Sequence, residues 1–136
     1  FERIIGTKIQ AWTETHGICG RFQFCTAEDA LVYHCDSQRW AAVVYLTPDA
    51  PFDTGTTLFA HKKTNIRTNE DPRIGECFVD LGEPYFLDRT PFEKVDEIGN
   101  VFNRLIIWDG RTIHAASRYF GNKKENSRLF QIFFFD

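Results

Sequence analysis

His34 and Asp36 stand two residues apart, directly after the apolar, β-prone stretch Leu31–Tyr33. In extended backbone that spacing sends both side chains to one face and Cys35 to the other. An imidazole and a carboxylate so placed can take adjacent positions on one metal ion. A third ligand must then come from elsewhere in the chain. His114, flanked by Ile113 and Ala115 just beyond Asp109-Gly110, is the best candidate. Two imidazoles and one carboxylate on one side of a metal leave three positions open, a set suited to ferrous iron that must also accept a co-substrate and oxygen.

A His-x-Asp pair alone is a weak signal, because a chain of 136 residues with four His produces one readily by chance. Arg128 adds weight. It opens the run RLFQIFFF near the end of the chain. A guanidinium grips a carboxylate through two parallel hydrogen bonds and stays charged at any working pH. If Arg128 faces inward, strand alternation turns Phe130, Ile132 and Phe134 inward with it, as one dry wall.

Strands must position these groups. Arg21–Cys25 alternates polar and apolar residues, and Leu31–His34 is apolar. Trp40–Leu46 is a near-continuous apolar run that reads as a strand buried on both faces, closed by Thr47-Pro48-Asp49. Thr56–Ala60, Leu105–Trp108 and Leu129–Phe135 complete the clear strand signals, and Asp109-Gly110 reads as a hairpin turn. Thr90-Pro91-Phe92-Glu93 has the form of a capping box, predicting a short helix that ends at Gly99 with Phe92, Val95 and Ile98 on one face. The span from Lys62 to Leu87 is polar and broken by Pro and Gly, so it reads as a long loop with room for one short strand over Cys77–Leu81. Many short strands and little helix point to an all-β sandwich or jelly roll.

Composition sets the outer bounds. With 43% hydrophobic residues, 14 of them Phe, the chain can build one core and one domain over 1–136. The formal net charge of −3 gives no reason to expect nucleic acid or an anionic membrane as a partner. No apolar stretch is long enough for a membrane-spanning helix. An opening Phe1 and the lack of Met lead us to expect an earlier natural start. Cys19, Cys25, Cys35 and Cys77 fit neither a zinc pattern nor a dense disulfide framework, which favours a reducing, cytoplasmic setting.

The order YHCDSQRWAAVVYL, GTTLF, NRLIIWDGRTIH and SRLFQIFFF resembles the 2-oxoglutarate and Fe(II)-dependent dioxygenases of the prolyl-hydroxylase-like type. The stretch from FNRLIIWDGRTIHAAS through RYFG to RLFQIFFF is similar to an uncharacterised bacterial branch of that superfamily. The likeness covers about residues 21–136. It implies a double-stranded β-helix, a cupin-like jelly roll, with iron in its mouth. It further implies His34, Asp36 and His114 as iron ligands and catalytic centre, and Arg128 as the group holding 2-oxoglutarate. Tyr45 matches a Tyr that often bonds the same carboxylate, although a core Tyr with its hydroxyl at the rim is an equal reading. Gln23 lies near a further polar co-substrate contact. Gly55-Thr56-Thr57-Leu58 departs from the family's usual Gly-Gly at this turn. Halogenating relatives lack a carboxylate at the position of Asp36, so the resemblance favours hydroxylation and leaves demethylation by the same route as the alternative.

The expected partners are molecular oxygen and an amino acid, peptide side chain or small metabolite. Two rivals stand beside this reading. A cupin-like metalloenzyme would use the triad without 2-oxoglutarate, and a ligand-binding jelly roll would carry the His-x-Asp by accident. Among the other candidates, His16 reads as surface, His61 as a strand-end residue and Trp108 as core. Trp40, Arg39 and Arg118 border the site without a spacing that assigns them a role.

Overall fold

The computed structural model describes residues 1–13, 17–78 and 85–136. His16, and the part of the expected Cys77–Leu81 strand beyond Phe78, lie outside the described residues. Among the described residues the chain is all-β apart from one four-residue helix, α1 (Glu2–Ile5), and short 3-10 turns. Seven strands follow: β1 (Phe22–Cys25), β2 (Trp40–Tyr45), β3 (Thr56–His61), β4 (Phe92–Ile98), β5 (Leu105–Asp109), β6 (His114–Ala116) and β7 (Arg128–Phe135).

The strands form two antiparallel sheets, one of four strands in the order β1-β7-β2-β5 and one of three in the order β4-β3-β6. β2 lies between β7 and β5, which explains its apolar run. Ala41, Ala42, Val43 and Tyr45 are all buried. Val43, Tyr45 and Phe130 make one core cluster on the four-stranded sheet, with Ile106, Trp108 and Ile132 packed against it. Phe59 of β3, Phe92 of β4 and Ile113 before β6 make a second cluster with Tyr33, Ile66 and Cys77. Tyr33 stacks on Phe92 with centroids 6.2 Å apart.

Four expectations are corrected here. The capping-box segment is not a helix, since Phe92–Ile98 is the edge strand β4. It pairs with β3 along its length, with one irregularity at Leu58/Phe59. Without it, one edge of β3 would be unpaired, and that tertiary pairing outweighs a local helix signal. Phe92 is buried, whereas Val95, expected on the buried helix face, is exposed. Glu93, Lys94, Asp96 and Glu97 leave a charged outer edge that resists pairing with another chain.

Asp109-Gly110 is not a hairpin turn. β5 pairs with β2 and β6 pairs with β3, so the chain changes sheet at this corner, which Thr112 closes by donating to the Asp109 carbonyl at 3.0 Å. Leu31–His34 is not a continuous strand either. Only His34 forms a bridge, to His114. Tyr33 instead donates to the Phe86 carbonyl at 2.7 Å. Ile74–Phe78, where a strand was expected to begin, is a 3-10 turn.

The long loop is not detached. Residues 67–69 run beside 111–113: Ile113 donates to the Arg67 carbonyl, Asn69 donates to the Arg111 carbonyl, and Thr68 bridges Thr112. All four cysteines are free thiols. No helix among the described residues is long and apolar enough to cross a membrane.

Candidate metal centre

His34 and His114 face each other across an isolated antiparallel bridge. Each donates its backbone N–H to the other's carbonyl, at 3.1 and 2.9 Å. Such a doubly bonded pair directs both side chains to the same side. β6 holds His114 opposite Leu58 of β3, so the bridge extends the three-stranded sheet by one residue. The expected alternation holds: Tyr33 and Cys35 pack into the core cluster, and His34 and Asp36 turn the other way.

The three side chains converge. Asp36 Oδ1 is 3.4 Å from His34 Nε2, and Oδ2 is 3.5 Å from His114 Nε2. One ligand atom from each residue lies within 4.8 Å of the others, and no other such cluster of His, Cys, Asp or Glu occurs among the described residues. The imidazole centroids are 4.4 Å apart.

Both Nδ1 atoms already have acceptors. His34 Nδ1 meets the Val32 carbonyl at 3.1 Å and His114 Nδ1 meets the Thr112 carbonyl at 2.8 Å. A neutral imidazole carries one proton, and a carbonyl can only accept, so the proton sits on Nδ1 and the Nε2 lone pair is exposed. With both rings neutral, two lone pairs then point at a carboxylate. Asp36 Oδ2 is buried with no hydrogen-bond partner. An acceptor-only cluster of this kind is relieved by a cation, either a proton on His34 Nε2 shared with Asp36 or a divalent metal, and the donor set fits the metal. Burial first, then the neighbouring His34, pushes the His114 imidazole down to about 4, so it stays a neutral donor. Burial also pulls His34 down, but the hydrogen bond and charge of Asp36 outweigh it and His34 ends above its ordinary value.

A cavity of about 110 Å³ runs from the two histidines to Arg128. Phe130, Ile132 and Phe134 line it together with Arg128, the face expected from strand alternation. This volume lies well below the roughly 300 Å³ at which drug-sized sites begin. Arg128 is 3% exposed, and among the described residues no carboxylate lies within ion-pair distance of it. Its Nε donates to the Thr54 carbonyl at 2.8 Å and its Nη2 to the Gly55 carbonyl at 3.2 Å. The guanidinium packs over Phe130 at 4.5 Å, Tyr45 at 5.3 Å and Tyr119 at 5.7 Å.

Tyr45 sits behind this wall. Its hydroxyl lies 2.8 Å from Thr56 Oγ1, and Thr56, not Tyr45, lines the cavity. Gln23 of β1 stands opposite Phe130 in the register and does not line the cavity. His61 is buried, with Nδ1 2.7 Å from Thr64 Oγ1, rather than exposed at a strand end. Arg39 lies over Trp40 and Arg118 pairs with Asp53, so both are engaged elsewhere.

Sequence reasoning missed Tyr119, and it saw Trp108 only as the core residue that it also is. Tyr119 lines the cavity beside Arg128 and interacts with the Cys25 thiol, and burial raises its phenol above the ordinary value. Only the expected strand β7 and its inward face could have hinted that RYFG returns to this end. Trp108 also lines the cavity, its ring edge-on to His114 at 5.2 Å and its buried Nε1 without a hydrogen-bond partner. Alternation along β5 held that signal, but the expected hairpin hid it.

No curated protein and no solved structure matches the chain. One family model does, over residues 22–127, which takes in His34, Asp36 and His114 and ends just before Arg128. Covering most of the chain from the start of β1, that match places the protein in a family of unknown function, DUF6445, to which it belongs.

Proposed function

We propose that the protein is an Fe(II)- and 2-oxoglutarate-dependent dioxygenase that hydroxylates an amino acid, a peptide side chain or a small metabolite. We infer with it that the two facing sheets are a double-stranded β-helix, the cupin-like jelly roll of such enzymes. One observation carries the reading. A small cavity has the two imidazoles at one end, with the unpartnered Asp36 carboxylate oxygen beside them, and at the other a buried guanidinium without a carboxylate partner among the described residues.

His34, Asp36 and His114 would hold the iron, and the Val32 and Thr112 carbonyls would keep each imidazole in its Nε2-ligating tautomer. Iron with 2-oxoglutarate would supply oxidation of an unactivated C–H bond by oxygen, with release of succinate and carbon dioxide. Arg128 would fix the far carboxylate of the co-substrate, with Tyr119 and Thr56 beside it. Phe130, Ile132 and Phe134 would exclude water from that pocket. His34, with a side chain 41% exposed against 7% for His114, marks the side from which a substrate approaches.

A second reading has its own support. Arg128 already donates to two backbone carbonyls, so it can serve as a brace in a cupin-like metalloenzyme or ligand-binding jelly roll that takes no 2-oxoglutarate. Anaerobic addition of Fe(II) and 2-oxoglutarate separates the two. The dioxygenase reading requires a visible charge-transfer band that needs both components. Iron binding without such a band, or a band that forms equally well in Arg128→Ala, supports the second reading instead.

A further inference from the structure

Resting on the metal-centre reading above, the geometry points to Gly110 as the residue that sets the position of the Asp36 carboxylate, with Asn69 as the clamp on its other side. Asp36 reaches the site from a bend between the His34 bridge and β2, not from a strand held on both sides. Something else must therefore hold it. The corner between β5 and β6 does so. Asp36 donates its backbone N–H to the Gly110 carbonyl at 2.8 Å, and Gly110 donates in turn to the Arg39 carbonyl at 2.9 Å. The two bonds bracket residues 36–39 against the corner.

The Gly110 Cα then lies against the carboxylate itself. A methyl at this position would stand 3.1 Å from Asp36 Oδ2, 3.2 Å from Asp36 Cβ and 2.9 Å from the Gln38 carbonyl oxygen. The last is a backbone atom held in the same bend, so it cannot swing aside as a flexible side chain would. Gly110 is not in the left-handed region. Lack of a side chain is required here for space, not for conformation.

Asn69 closes the other side. Its Nδ2 donates to the Asp36 carbonyl at 2.8 Å, while its own N–H donates to the Arg111 carbonyl at 3.0 Å. The long loop is thereby tied to both ligand-bearing segments, the one with Asp36 and the one leading to His114. Arg111 fastens the corner through Asp109, with Nε at 2.9 Å and Nη2 at 2.6 Å, and also pairs with Glu70 next to Asn69. Ligand atoms of a metal site must hold their places to within a few tenths of an ångström. A shift of that size in the bend moves Oδ1 and Oδ2 relative to both Nε2 atoms. Gly110 and Asn69 are positioning residues, acting through Asp36.

Titration of the whole metal-free protein with Co(II) tests this, since the visible bands of that ion report ligand geometry as well as affinity. Gly110→Ala should weaken Co(II) binding by roughly 10- to 100-fold, the usual effect of disturbing groups that orient ligands, and should shift the bands. Asn69→Ala should weaken it severalfold. Asn69→Asp, which keeps the shape but loses the N–H donor, should match Asn69→Ala. Wild-type affinity and bands in Gly110→Ala would overturn the assignment of Gly110. If Gly110→Ala does not fold, wild-type affinity and bands in both Asn69 variants overturn the clamp. A merely structural role would lower the melting temperature of metal-free Asn69→Ala and leave its bands unchanged, which also overturns it. Failure of the wild-type protein to bind Co(II) or Fe(II) would instead bring down the metal-centre reading itself.

Discussion

The two ends of the inner cavity hold polar groups in opposite states. At the histidine end, Asp36 Oδ2 is buried and unpartnered, and the neutral His114 facing it at 3.5 Å has its proton on Nδ1. At the arginine end, the guanidinium is braced by the Thr54 and Gly55 carbonyls and packed over three aromatic rings. An acceptor cluster gains a partner only from a cation, whereas a braced guanidinium is stable as it stands and still positively charged. The first end gains from an added cation, be it a proton on His34 or a metal; the second keeps its charge without an added partner.

The largest effects should come from the histidine end. Removing a ligand, as in His114→Ala, should lower Fe(II) affinity more than about 100-fold, beyond the range expected for an orienting group. Equilibrium dialysis under anaerobic conditions would measure it, and unchanged affinity would break the contrast between the two ends. Asp36→Asn should abolish binding as well. In metal-free protein it should leave the melting temperature unchanged or raised, because an amide can donate where the carboxylate cannot.

Acid sensitivity comes next. The depressed His114 favours its neutral form when folded, so its contribution to the stability of metal-free protein is full above about 6.5. That contribution is lost as pH falls toward about 4. The raised His34 acts in the opposite direction, contributing below its ordinary value and losing that contribution as pH rises through its folded value. His114 has the larger shift and should dominate, with an upper bound of about 3 kcal/mol. Urea melts at stepped pH would read this slope, and His114→Gln should flatten it.

Arg128→Ala sharpens the comparison from the other side. It should leave Fe(II) affinity within about threefold and remove the 2-oxoglutarate-dependent band. It should also cost about 1–3 kcal/mol of stability, because two buried carbonyls lose their donor. Arg128→Lys restores charge without the fork and should recover little of the band. The smallest effect belongs to Tyr45→Phe. Loss of its hydrogen bond to Thr56 should cost about 1 kcal/mol, with the Fe(II) affinity unchanged. A strong effect of Tyr45→Phe on the 2-oxoglutarate band would move Tyr45 from wall to ligand contact.

The parts of this site that were legible in the sequence depend on local alternation. The shared face of His34 and Asp36 follows from a spacing of two, and the inward set Arg128, Phe130, Ile132 and Phe134 follows from the same period. β2 was legible because a strand paired on both sides must be apolar throughout. Phe92–Ile98 misled because Thr90-Pro91-Phe92-Glu93 satisfies a local helix start, while the unpaired edge of β3 that recruits it lies more than thirty residues upstream. The contact of Gly110 with Asp36 was hidden for a related reason. A Gly after Asp reads as a turn, and only the folded chain places a carboxylate 74 positions earlier against its Cα.

The sequence by itself determined which residues could do chemistry and which faces they share, because side-chain type and strand period are local properties. Tertiary structure decided that His34 and His114 meet across one bridge, that Asp109-Gly110 passes between sheets, and that Asn69 ties the long loop to the Asp36 bend. Those outcomes turn on which strand edges pair and which buried polar groups find partners, and both are settled only when distant segments pack together.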